Sequence, residues 1–206
     1  LKQLSCLLLA LSLLLTACGS SGSYNKPPSS TPTKAESVSV KLKTTEQDAA
    51  IAIMLALKQR NLDALASYIH PEKGLLLSPY LYIQSDAVVF KRDELPAFSD
   101  TTLYSWGKYD GSGEPITLSF SDYYKQFIYD KPFYEAEQIA YNEIINLGNM
   151  TSNIAEKFPG SFTADFHFSG FDQQVEGMDW ESLILVIENF NGFWYVSAII
   201  HSQWTI

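Results

Sequence analysis

From residue 44 onward the apolar positions fall into clear periods. Ile51, Leu55, Leu62, Leu65 and Ile69 recur at near-heptad spacing, which predicts helical structure with these side chains on one face. Thr45 or Thr44 can cap the start, and Glu46 and Asp48 set two carboxylates at the positive end of the helix dipole. Asn61 and Asp63 mark a break, so two helices are expected, about 46–59 and 62–69, the second stopped by Pro71.

His70-Pro71-Glu72-Lys73-Gly74 reads as a turn, followed by strands over 75–83, 86–91 and 101–109. Asp110 to Pro115 is a second turn, leading into a strand over 116–120. Ser121 can cap a helix over 122–129, 135–145 reads as another helix, and 148–160 is irregular with one helical turn near 153–157. Over 161–169, Phe162, Ala164, Phe166 and Phe168 alternate with Thr163, Asp165, His167 and Ser169, a half-buried strand with Asp165 and His167 at the surface. Strands over 182–188 and 193–201 meet across Asn191-Gly192, a strong hairpin signal. In the last strand Phe193, Tyr195, Ser197, Ile199 and His201 share one face, and Trp194, Val196, Ala198 and Ile200 the other. Both faces are largely apolar, so the strand is expected to be central. The elements predict an α+β fold, a curved antiparallel sheet packed on N-terminal helices.

Ahead of this domain lies a different composition. Lys2 precedes a leucine-rich run over 4–15 that is short for a bilayer span and ends in small residues, as in a cleaved signal peptide over 1–17. Leu15-Thr16-Ala17-Cys18 resembles the bacterial lipobox: an aliphatic residue, two small residues and a cysteine. The resemblance implies a diacylglycerol thioether on Cys18, whose two acyl chains suffice for stable anchoring at about 0.8 kcal/mol per buried methylene. Residues 18–45 would then be the lipidated cysteine and a tether. The segment is rich in Ser, Gly, Pro, Thr and Lys and is expected to be disordered, apart from a weak strand pattern over 38–42. Extended, it would reach roughly 80–90 Å at ~3.3 Å per residue. Residues 46–206 are expected to form one α+β domain.

Charge and cysteine usage narrow the chemistry. Residues 47–206 carry 9 Lys and Arg against 21 Asp and Glu, and such an acidic domain argues against nucleic acid as a partner. Cys18 is the only cysteine after the signal segment, which excludes a disulfide framework and a cysteine metal site. No cofactor and no metal centre are expected. Asp110-Gly111-Ser112-Gly113-Glu114 begins like a calcium loop, but Pro115 and Ser121 stand where that loop needs Gly and Glu, so a hairpin turn is the better reading.

The candidate ligand-binding residues are His70, Tyr80, Tyr82, His201 and Trp204. Each histidine ends an apolar element, and with the aromatics they could gather at one pocket. The competing reading has His70 capping a helix end and His201 as a satisfied residue at a strand end. The aromatic group Tyr123, Tyr124, Phe127, Tyr129, Phe133 and Tyr134 reads as packing rather than a sugar platform.

Arg60-Asn61-Leu62-Asp63-Ala64-Leu65-Ala66 followed by His70-Pro71, with the closing hairpin of long strands, resembles the nuclear transport factor 2-like (cystatin-like cone) superfamily. That resemblance implies a cone with a pocket at its open end, used for small-ligand binding, for catalysis in some members and for dimerisation in others. His70 to Gly74, Ser78-Pro79-Tyr80, Gly177-Met178-Asp179-Trp180 and the ending from His201 to Ile206 resemble an uncharacterised group of bacterial lipoproteins. The expectation is a cell-envelope lipoprotein on the extracytoplasmic face of the membrane. Its partners would be membrane lipid through Cys18 and a small molecule, an envelope protein or a second copy of the chain. An envelope enzyme using His70 and His201 in acid–base chemistry is the alternative.

Overall fold

The computed structural model describes residues 44–205, which belong to one compact unit. The expected signal peptide, Cys18, the tether to residue 43 and the strand pattern at 38–42 lie outside the described residues. Among the described residues no helix is long and apolar enough to cross a membrane.

Helix α1 (Glu46–Lys58) starts at a capping box: Thr45 accepts from the Asp48 backbone N–H, and the Asp48 carboxylate accepts from the Thr45 N–H. Asn61 caps α2 (Leu62–Tyr68) through the Ala64 N–H. The buried face of α1 is Ala50, Ile53, Met54 and Leu57, whereas the expected Ile51 and Leu55 are only partly buried. The sequence pattern had two overlapping apolar stripes.

The strands are β1 (Leu75–Ser78), β2 (Val88–Phe90), β3 (Leu103–Lys108), β4 (Pro115–Ser119), β5 (Gln138–Tyr141), β6 (Phe162–Phe168), β7 (Glu181–Phe190) and β8 (Phe193–Gln203). Six of them form one sheet in the order β2-β1-β8-β7-β6-β5, and β3 and β4 pair separately. The fold is α+β, but its sheet is mixed rather than antiparallel, because β1 runs parallel to β8. Gly74 makes the turn into β1. Its φ is +82°, and a Cβ there would lie 2.6 Å from the Phe90 carbonyl oxygen. The β7–β8 turn has positive φ at both Asn191 and Gly192, as a two-residue hairpin requires.

Several expected elements differ. The strand expected over 75–83 ends at Ser78, and 79–87 loops over the sheet. Ser119 rather than Ser121 caps the next helix, α3 (Phe120–Tyr123), which widens into a π-turn over Tyr124–Ile128. The helix expected over 135–145 is absent. Phe133–Glu135 forms a 3-10 turn, and β5 then pairs along the free edge of β6, where ladder hydrogen bonds override helix propensity.

Both faces of the sheet are covered. One packs Leu183, Leu185, Ile187, Val196 and Ile199 against α1, α2, the β3–β4 hairpin and the α3 segment. The other packs Ile184, Val186, Ala198 and Ile200 against Leu81, Ile83, Ile154 and Phe158, with α4 (Ile154–Lys157) in the segment that covers it. Asp165 and His167, expected at the surface, are therefore buried on this second face. Ser182 lies 2.8 Å from His167 Nδ1, and Asp165 accepts from the Ile145 N–H. Burial pushes the Asp165 carboxyl up to about 6.

One irregularity re-aims the last strand. Val186 pairs with Ala198 and Ile187 with Val196, so Ser197 is an extra residue, a β-bulge. Beyond it the parity reverses. Val196, Ile199 and the His201 ring face the helices, whereas a strict alternation would have separated Val196 from Ile199 and His201.

Candidate functional site

The five candidate residues do not converge. His70 is buried at the end of α2, where its backbone N–H donates to the Val196 carbonyl. Its Nδ1 accepts from the N–H groups of Glu72 and Lys73, and its ring meets Phe190 and Tyr195 edge-on. Burial lowers its pKa, in keeping with a neutral acceptor that holds the turn into β1. His201 lies five residues beyond Val196 along β8, roughly 16 Å away at about 3.3 Å per residue. The structure thus forms no acid–base pair between His70 and His201.

Tyr80 and Tyr82 do share a site. They line a cavity of about 310 Å³ between the 79–87 loop and β3, together with Gln84, Asp86, Trp106 and Lys108. Tyr80 is held at both ends: Ser78 Oγ donates to its carbonyl, and its hydroxyl accepts from the Asp110 N–H at 3.1 Å. Burial raises its pKa, so the hydroxyl stays protonated near neutrality. Tyr82 is half-exposed at the rim. Trp106 is buried, stacks on Tyr123 at 3.8 Å and donates its Nε1 proton to the Leu118 carbonyl. The walls are therefore aromatic and fixed, and one carboxylate and one ammonium stand at the opening. His70, His201 and Trp204 are not among the lining residues, and Trp204 is exposed elsewhere.

The calcium-loop pattern at Asp110 to Glu114 is the β3–β4 turn, closed by Tyr109 N–H to Glu114 carbonyl and Gly113 N–H to Tyr109 carbonyl bonds. The aromatic group of α3 and its π-turn is packing, with Tyr123, Tyr124, Phe127 and Phe133 all buried.

His201 belongs to a second cluster. Its ring is fully buried and meets Phe127 edge-on, and Phe127 in turn meets Tyr80, so this ring separates the cluster from the aromatic cavity. Nε2 lies 3.7 Å from Asp130 Oδ1 and 3.8 Å from Glu181 Oε2, ion-pair distances too long for hydrogen bonds. Burial opposes charge on this imidazole, but the two carboxylates outweigh it and hold its pKa at about 9. Lys131 pairs with the other Glu181 oxygen at 2.9 Å.

Neither acid was among the residues singled out in the sequence. Glu181 carried a usable signal, because it shares the inward parity of Leu183, Leu185 and Ile187. Asp130 carried none. It sits two residues past the π-turn that seats Phe127 under β8. Comparison with protein-family models, with curated proteins and with solved structures finds no match to this chain.

Proposed function

We propose that this chain is a cell-envelope lipoprotein, anchored through Cys18 on the extracytoplasmic face of the membrane, whose domain binds a small ligand. The observation that carries the binding reading is the cavity beside Tyr80 and Tyr82. Its volume is at the small end of the range for ligand sites, and it combines rigid aromatic walls with a few polar groups. Asp86 and Lys108 at its rim favour a small polar ligand that carries both an acceptor and a cationic or donor group. A cone-like curvature of the mixed sheet, with this cavity at its mouth, is part of the same proposal. It is supported by the β-bulge at Ser197, which bends β8.

Two experiments test the two halves. A thermal-shift screen of amino acids, polyamines, sugars and nucleosides is expected to yield a compound that raises Tm of the wild-type protein. Tyr82→Ala should lose that shift by at least about half while melting, without ligand, within about 0.5 kcal/mol of wild type, since Tyr82 is half-exposed. A hit that stabilises both proteins equally would place binding elsewhere. For the anchor, Cys18→Ser is expected to move the protein from the membrane fraction to the soluble fraction of expressing bacteria. Unchanged membrane association would sink the lipid-anchor reading.

A further inference from the structure

Asp130, Glu181 and His201 are brought together from three separate places: the segment after the π-turn, the start of β7 and the end of β8. They are the only group of three His, Cys, Asp or Glu residues among those described that is close enough to share one ion. Proximity of acids alone would mean little. The second observation is His201 itself. It is fully buried, both ring nitrogens lack a hydrogen-bond partner among the described residues, and Nε2 lies 3.7 and 3.8 Å from two carboxylate oxygens that are also unpartnered there.

A protonated imidazole together with Lys131 balances the two carboxylates but leaves the geometry unsatisfied. Among the described residues the imidazole N–H groups find no acceptor within hydrogen-bond range, and Asp130 Oδ1 and Glu181 Oε2 find no donor. Buried polar atoms are rarely left so, and three of them facing one point is a concentrated exception. We infer that Asp130, Glu181 and His201 hold a single divalent transition-metal ion, for which Zn²⁺ is the best match.

The separations support a shared ion. With edges of 3.7 and 3.8 Å and a third of at most 4.8 Å, the point equidistant from the three atoms lies about 2.4 Å or less from each, within a small inward shift of zinc–ligand distances. One imidazole nitrogen with two carboxylate oxygens is a borderline ligand set. It is too nitrogenous for Ca²⁺ or Mg²⁺ and too hard for Cu⁺. Three protein ligands leave a coordination position open, and the side chains of Asp130 and Glu181 keep 18% and 12% of their surface exposed, so an ion has a way in. Lys131 holds the other Glu181 oxygen and so orients the carboxylate toward His201, an outer support of the kind metal ligands use. The site lies behind Phe127 and is separate from the aromatic cavity.

The test uses the full chain, stripped with chelator and titrated calorimetrically with Zn²⁺ and, separately, Mn²⁺. One Zn²⁺ per chain is expected, together with a rise in Tm of several degrees at saturation. Asp130→Asn and Glu181→Gln keep the side-chain shapes and should each weaken Zn²⁺ binding at least about tenfold. Glu114→Gln, in the β3–β4 turn, should bind as wild type. Absence of stoichiometric Zn²⁺ uptake, or equal binding by all four proteins, overturns the assignment. X-ray absorption at the zinc edge of the wild-type protein needs no variant. A first shell with one imidazole nitrogen and carboxylate oxygens is expected, and a shell without imidazole also overturns it.

Discussion

Trp106→Ala is expected to destabilise the domain by about 3–5 kcal/mol, the usual cost of deleting a large aromatic side chain from a packed core. Trp106 is 3% exposed, stacks on the fully buried Tyr123 and also touches Tyr104 and Phe90. Its indole N–H closes on the Leu118 carbonyl across the hairpin. Because β3 and β4 join no larger sheet among the described residues, side-chain packing of this kind holds the hairpin to the rest of the domain. In a domain of this size the loss corresponds to a fall in Tm of roughly 6–20 °C, readable by thermal or urea unfolding. Trp106→Phe keeps the ring contact and loses the hydrogen bond, so it should recover more than half of the loss. A change below about 1 kcal/mol in the alanine variant would mean that the hairpin is not docked as described.

Asn153→Ala is expected to cost about 2–6 kcal/mol through a different mechanism. The Asn153 amide makes two bonds to one residue: its oxygen accepts from the Ile83 N–H at 2.9 Å, and its nitrogen donates to the Ile83 carbonyl at 3.0 Å. Both partners are buried, and alanine would leave two backbone groups unpaired away from water, at about 1–3 kcal/mol each. The 79–87 loop is pinned at this point, and the same loop forms a wall of the aromatic cavity. Hydrogen exchange at the Ile83 amide should therefore accelerate in the variant by much more than at amides in the middle of β7. Equal acceleration at both would show that the bonds stabilise the whole domain rather than the loop.

Much of the architecture was legible because its signals are local. Thr45 and Asn61 stand where caps were expected, and the helices they start end within one residue of the expected positions. The Asn191-Gly192 turn joins the two longest strands, and the single helical turn near 153–157 is α4. The misreadings occur where a distant segment overrides local preference. The stretch over 135–145 has helical composition, but the open edge of β6 offers it a ladder. Asp165 and His167 alternate with phenylalanines as surface residues do, yet Ile145 bonds over the first and Trp180 packs against the second.

The candidate site divides along the same line. Tyr80 and Tyr82 could be picked from the sequence, and they line one cavity, because both lie on one short loop. His201 could be picked as well, but its neighbours could not. The bulge at Ser197 reverses the parity of β8, and a π-turn carries Phe127 and Asp130 to it. By itself the sequence determined the caps, the turns, the strand alternation and the α+β class, since each depends on residues a few positions apart. Only the tertiary structure decided the parallel pairing of β1 with β8, the burial of the second sheet face and the meeting of Asp130, Glu181 and His201. Those contacts join residues as many as 122 positions apart, and the free energy that selects them comes from packing whole elements rather than from any local period.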